Sequence, residues 1–240
     1  MAPAARTTAM KNKSHSPLTP DTFRFFRELS RHNHKDWMDA HRESYRQQLV
    51  EPMRALLDAL APAVLDLDAG FVINGKTGTN FSRINRDIRF ARDKTPYHTR
   101  MYLTFPDSPS GDGAQLYVGV AAGVVTAGFR IYGGSNLKNS PLGRLGAQRA
   151  LTHPAWLAKQ RKPLGRKYES YWHSMEKGEW TKNPGWPATP EQWKKLRAWI
   201  VRRAMKPSAA TGAAFLKEVA RVFKAVAPLA RFASSTHWKP

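Results

Sequence analysis

Near residue 65 the hydrophobic pattern of the chain changes period, and this switch constrains the fold more than any other feature. Up to Val64 apolar residues recur at helical intervals: Phe23, Phe26 and Leu29, then Trp37, Ala40 and Tyr45, then Met53, Leu56, Leu57 and Leu60. That spacing places each set on one face of a helix. Thr19-Pro20 supplies an N-cap and a proline at the first helical position, and His32-Asn33 breaks the first helix. Further helices are expected over 35–49 and from Pro52 to about Val64. From Phe71 to Tyr132 the apolar runs are short and rich in β-branched and aromatic residues, at 71–73, 81–90, 101–105, 114–122 and 124–132. Turns containing Gly, Asn, Asp and Pro separate them. Most connections are too short for crossover helices, which favours antiparallel pairing. Helical spacing returns over 141–151, 154–159, 191–205 and 213–226, around an irregular Pro-, Gly- and Trp-rich stretch at 163–190. The expected fold is α+β: a central, mostly antiparallel sheet of about five strands, with helices before and after it in sequence. It forms a single domain over 18–240, behind a disordered basic tail at 1–17.

The chain has 240 residues, enough to bury a sizeable core. Its 39 Lys and Arg against 18 Asp and Glu give a formal charge of +21, so its surface attracts polyanions. It has no cysteine, which removes disulfides and thiolate chemistry. No stretch approaches a membrane span, and the first residues lack the apolar core of a secretory signal. A soluble, cytoplasmic protein is expected.

Residues 70–77, GFVINGKT, fit the spacing of a phosphate-cradling loop. The four variable positions are Phe71, Val72, Ile73 and Asn74, too bulky and apolar for a loop that wraps phosphate. Gly78 and Asn80 follow where a helix should begin. The stretch reads as a strand and a Gly-rich turn.

The next segment, FSRINRDIRFARDKTPYHT (81–99), carries the stronger signal. As a strand, 81–90 would put Phe81, Arg83, Asn85, Asp87 and Arg89 on one face and Ser82, Ile84, Arg86, Ile88 and Phe90 on the other. Arg83 and Arg89 could then clamp a phosphate or carboxylate, with Asp87 holding a guanidinium in place. Arg92, Asp93, Lys94, Tyr97 and His98 follow in a Pro-bounded turn. The binding candidates are Arg83, Arg86, Asp87, Arg89, Lys94 and Tyr97. Should chemistry follow, Asp87, Tyr97 and His98 are the groups able to move a proton. Arg/Asp arrays also form rigid ion-pair networks with no ligand, so a non-catalytic interaction protein with a structural motif is a further reading.

RINRDIRFARDKTPYHT resembles the signature of the family catalogued as domain of unknown function 2461. The matching positions are Arg83, Arg86, Asp87, Arg89, Phe90, Asp93, Lys94, Thr95, Pro96 and Tyr97. The stretch 25–45 also looks like the family's opening, with Asn33, Trp37, Ala40 and Tyr45 in place and Met38 where Phe is usual. Residues 127–151 resemble its strand-then-helix section, and the likeness fades beyond about residue 160. The resemblance implies an α+β fold with a mostly antiparallel central sheet, and implies no activity.

Residues 138–206 hold 16 Lys and Arg against 4 Asp and Glu, with six of the eight tryptophans: Trp156, Trp172, Trp180, Trp186, Trp193 and Trp199. Cations interleaved with aromatics suit phosphates and bases. On a helix over 191–205, Lys194, Lys195, Arg197, Arg202 and Arg203 would surround an apolar stripe of Trp193, Leu196 and Ile200. The lead expectation is therefore a site for a small anionic ligand in the Arg-rich segment, and the alternative is a nucleic-acid-binding module. Neither a cofactor nor a metal is expected: zinc-helix and nucleophile-elbow spacings are missing, and His32 and His34 would need a distant third ligand.

Overall fold

The computed structural model describes residues 15–108, 113–132, 141–174, 180–182, 187, 189–234 and 238–240. The N-terminal amphipathic stretch folds as α1 (Pro20–Arg31), α2 (Lys35–Ala40), α3 (Arg42–Tyr45), a π-helical turn at Arg46–Val50 and α4 (Glu51–Leu65). The single helix expected over 35–49 is thus three short pieces, the last running directly into α4. Phe23, Phe26 and Leu29 of α1 are buried, as are Met53, Leu56 and Leu60 of α4. Thr22, fully buried, donates to Gln48 O at 2.9 Å and ties α1 to the π turn.

Strands β1 (Arg100–Pro106), β2 (Ala114–Ala121) and β3 (Val124–Tyr132) form the expected meander. Helices α5 (Pro141–Thr152) and α6 (Pro154–Arg161) follow, then β4 (Glu169–Ser174) and β5 (Trp180–Lys182). Next come α7 (Pro190–Lys195), β6 (Leu196–Met205), α8 (Pro207–Ala210) and α9 (Phe215–Ser234). The fold is α+β; among the described residues six strands lie in the order β1-β2-β3-β6-β4-β5, with every neighbouring pair antiparallel.

Three further sequence expectations are corrected. Residues 71–73 and 81–90 form no strand, and the second stretch makes only isolated bridges, Phe81 to Leu103 and Asn85 to Tyr97 among them. The helix expected over 191–205 is one and a half turns of α7 followed by β6, a ten-residue strand inside the sheet. The stretch taken as irregular supplies β4 and β5. Most of the tail 1–17, and Trp186, lie outside the described residues.

Alternation gives the sheet two different faces. One carries Leu103, Phe105, Leu116, Val118, Ala127, Phe129, Trp199 and Val201, all buried at 1 % exposure or less beneath the helices. Phe223 of α9 meets Phe105 edge-on at 5.9 Å. The other carries Arg100 and Tyr102 on β1, Tyr117 on β2, Arg130 and Tyr132 on β3, Arg202 on β6, and Glu169 and Tyr171 on β4. Trp193 of α7 is fully buried against α5 because Gly146 has no side chain. A Cβ there would sit 2.2 Å from the indole.

Candidate functional site

Between Gly70 and Thr99 the chain runs along the outer edge of β1 as irregular backbone. Val72 N donates to Pro106 O at 2.9 Å, Ser82 N to Tyr102 O at 3.0 Å and Thr104 N to Asn80 O at 2.8 Å. Asn80 is completely buried and satisfies the turn from inside. Its Oδ1 accepts from Asn74 N (3.0 Å) and Gly75 N (2.9 Å), while Nδ2 donates to Val72 O and Thr104 O, both at 2.8 Å. Gly75 at φ 68° and Gly78 at φ 92° occupy the left-handed region, where glycine is favoured. GFVINGKT is therefore an asparagine-clasped turn, and no helix begins at Thr77.

Residues 84–98 then form a loop closed at its base. Arg86 N donates to Pro96 O (2.8 Å) and His98 N to Ile84 O (2.7 Å). Asn33, after α1, grips the base from the helical side: Tyr97 N donates to its Oδ1 (3.0 Å) and its Nδ2 to Tyr97 O (2.9 Å). Inside the loop, Arg86 donates to Asp93 Oδ2 (2.6 Å), Thr95 O (2.9 Å) and Thr95 Oγ1. Hydrogen bonds from Thr95, then Arg86, hold the Asp93 carboxyl below its ordinary range. Lys94 Nζ donates to Ile88 O at 3.0 Å. Asp87 and Arg89 pair with each other through two bonds, of 3.0 and 2.7 Å, at the exposed tip. Phe90 beside them is 95 % exposed.

The candidates thus separate. Arg86 and Lys94 build the loop, Asp87 and Arg89 pair with each other at its tip, and the Tyr97 side chain is buried in the core. Arg83 alone among the three arginines has no hydrogen-bond or ion-pair partner among the described residues. It lines a concavity of about 500 Å³ with Ser82, Asn85, His98, Arg100 and Tyr102. A second concavity of about 220 Å³ shares Ser82, Arg83 and Asn85 and is walled on the helical side by Tyr45, Met53 and Arg54. Among the described residues no carboxylate lines either one. Burial, and then the positive charges of Arg86 and Arg100, push the His98 imidazole below its ordinary value of 6.5. Arg54 and Arg100 were missed in the sequence as members of a site, because the folding that brings them to Arg83 is a tertiary event. Alternation places Asn85 on the face of Arg83 but does not single it out as a binding candidate.

The five candidate cations of the basic, Trp-rich part do not share a surface. Lys194, Lys195 and Arg197 are exposed around the end of α7. Arg203 points to the helical side and pairs with Glu218 of α9. Arg202 points to the opposite side, donating to Glu169 Oε2 at 2.9 Å and Tyr171 Oη at 2.7 Å. The helix that would have gathered these five residues is not formed. Trp193 and Trp199 are fully buried, and Trp156 stacks on Phe232 at 5.2 Å.

Among the described residues no group of three or more His, Asp or Glu could hold a metal ion, and no helix is long and apolar enough to cross a membrane. Comparison with curated proteins finds no match. A family model does match, over residues 21–232, extending well past residue 160 through the basic, Trp-rich part. By that match the chain belongs to the family described as conserved hypothetical protein (DUF2461).

Proposed function

We propose that the protein binds a small phosphate- or carboxylate-bearing ligand in the concavity between residues 78–85 and the start of β1. One observation carries the reading: Arg83, without a partner among the described residues, faces the same space as Arg100 and His98, and no carboxylate among those residues lines it. Two guanidiniums converging without a counter-charge repel each other and disfavour the imidazolium beside them, and an anion relieves both effects. Asn85 and the hydroxyl of Ser82 add neutral donors to orient it. The Ser82 oxygen already accepts from Tyr102 N at 2.9 Å, which fixes its position. About 500 Å³ lies within the usual range for small-molecule sites. The second concavity, with Arg54 and Tyr45, offers room for a ligand that extends past Arg83.

Thermal melts with sulfate, against chloride at equal ionic strength, test the proposal. At about ten times its Kd a bound anion stabilises by about 1.4 kcal/mol, or roughly 3–6 °C in a domain of this size. The Arg83→Met/Arg100→Met variant is expected to keep the unspecific effect of sulfate and lose the saturable part. Equal saturable shifts in both proteins would sink the proposal.

The pH dependence follows from His98. Its folded value lies below 6.5, so without ligand stability falls as the pH drops through about 6.5, where the unfolded chain takes the proton first. A bound anion favours the imidazolium and reverses that bias. Sulfate affinity is therefore expected to rise from about pH 8 to about pH 6, and His98→Gln should flatten the rise. Titration calorimetry at the two pH values reads it directly.

A further inference from the structure

Arg130 is a cation that the sheet fixes in place without neutralising it. It projects from β3 onto the face away from the helices, with its guanidinium carbon 5.0 Å from the ring centre of Tyr102, 5.6 Å from Tyr117 and 5.5 Å from Tyr132. Its Nε donates to Gln115 Oε1 at 3.0 Å, and no carboxylate pairs with it among the described residues. Gly119 helps to build this box: a Cβ there would lie 2.8 Å from the Tyr102 ring, so its absence lets Tyr102 lean over β2. Three rings and one amide hold the guanidinium plane while its two terminal amino groups find no acceptor among the described residues.

The rest of the face continues the pattern. Tyr132 is 45 % and Trp180 43 % exposed, and the two rings meet edge-on at 6.4 Å. Arg202 lies 4.4 Å over Tyr171 and shares Glu169 with Lys182. Glu169 is the one carboxylate on the strand positions of this face, against Arg100, Arg130, Arg202 and Lys182.

We propose that this sheet face binds single-stranded nucleic acid, with Arg130 seating a backbone phosphate and Tyr132 and Trp180 stacking on bases. Excess positive charge answers the phosphates, and exposed rings answer unstacked bases, which a duplex hides and an acidic peptide lacks. Six strands about 4.8 Å apart make the face about 24 Å wide. That suits the shortest single-strand sites, of roughly four nucleotides. The proposal does not depend on the anion site at Arg83.

The test is fluorescence anisotropy of a labelled oligothymidylate of about twelve nucleotides with the full chain, from about 50 to about 200 mM salt. Tyr132→Ala and Trp180→Ala, both at exposed positions, are each expected to weaken binding by about 5- to 150-fold. Arg130→Met should weaken it and lower the logarithmic salt slope by about 0.7, one phosphate contact on a single strand. Lys194→Gln/Lys195→Gln, away from the face, should change affinity by less than about threefold. The proposal is overturned by absence of binding at the lowest salt, by ring variants within twofold of wild type, or by a duplex of equal length binding as tightly. It is equally overturned if sedimentation shows a dimer that Trp180→Ala dissociates, since a second copy would then occupy the face.

Discussion

Asn80→Ala is expected to destabilise the protein by about 3–5 kcal/mol, lowering the melting temperature by roughly 10 °C. A single buried amide satisfies two N–H groups and two carbonyls, and alanine leaves all four without their partner. Each hydrogen bond is worth about 1 kcal/mol net, and each group left dry costs about 1–3 kcal/mol. The carbonyl of Thr104 lies in the buried part of the network, whereas Asn74 and Gly75 have some access to water, so the total stays near the net worth of the four bonds. Asn80→Asp should fare little better, because it keeps the acceptor but turns a carboxylate oxygen towards two carbonyls. Asn74 is the control: exposed, its side chain accepts only from Lys76 N at 3.0 Å, so Asn74→Ala should cost under about 1 kcal/mol. Urea titrations of the three variants decide the matter. An Asn80→Ala protein as stable as Asn74→Ala would show that the clasp does not hold the turn. Ser82 and Arg83 follow directly after the clasp, so its loss should also abolish the saturable response to sulfate.

What could be read in advance, and what could not, follows from where each segment finds its hydrogen bonds. Helices α1, α4 and α9 and strands β1 to β3 were legible because each buries one continuous stripe or one alternating face. Segment 81–90 alternates as a strand does, yet past Ser82 the polar groups of Arg86 are met by Asp93, Thr95 and Pro96 of its own loop rather than by a neighbouring strand's ladder. Alternation reports extended, half-buried chain, and nothing local reveals whether a ladder partner exists. Residues 196–205 failed in the opposite direction. Trp193, Leu196 and Ile200 fall at helical spacing, and adjacent Arg202 and Arg203 hide the period of two. Both arginines are accommodated in the strand because each reaches a glutamate, Glu169 on one side of the sheet and Glu218 on the other. The candidate site was legible as a segment but not as a set of side chains. Which arginine stays unpaired depends on the Arg86–Asp93 contact seven residues apart, and on Arg100 and His98 arriving from beyond it.

Two neighbouring tryptophans are expected to respond differently to the same substitution. Trp199 and Trp193 are both fully buried, with ring centres 5.1 Å apart and planes at 89°. Trp199→Ala should cost about 3–5 kcal/mol, since it empties the space between β6 and α7 and removes the edge-on contact with Phe129 at 5.0 Å. The two phenylalanine variants separate the ring from its N–H. Trp199 Nε1 donates to Ser170 Oγ at 3.1 Å, so Trp199→Phe loses a hydrogen bond as well as volume, about 2–3 kcal/mol. Trp193 Nε1 meets no acceptor among the described residues, so its native N–H already carries a desolvation cost of about 1–3 kcal/mol. Removing it offsets most of the lost volume, and Trp193→Phe should lie within about 1 kcal/mol of wild type. Gly146→Ala joins the two halves of the argument. A methyl group 2.2 Å from the Trp193 ring cannot be seated without movement, which should outweigh the roughly 1 kcal/mol that alanine contributes to helix propensity. A double-mutant cycle then has a fixed sign: Gly146→Ala should be better tolerated beside Trp193→Phe than beside tryptophan, because the smaller ring yields space to the new methyl. Strict additivity would mean that the close approach of Gly146 to the indole does not set the spacing of α5 and α7.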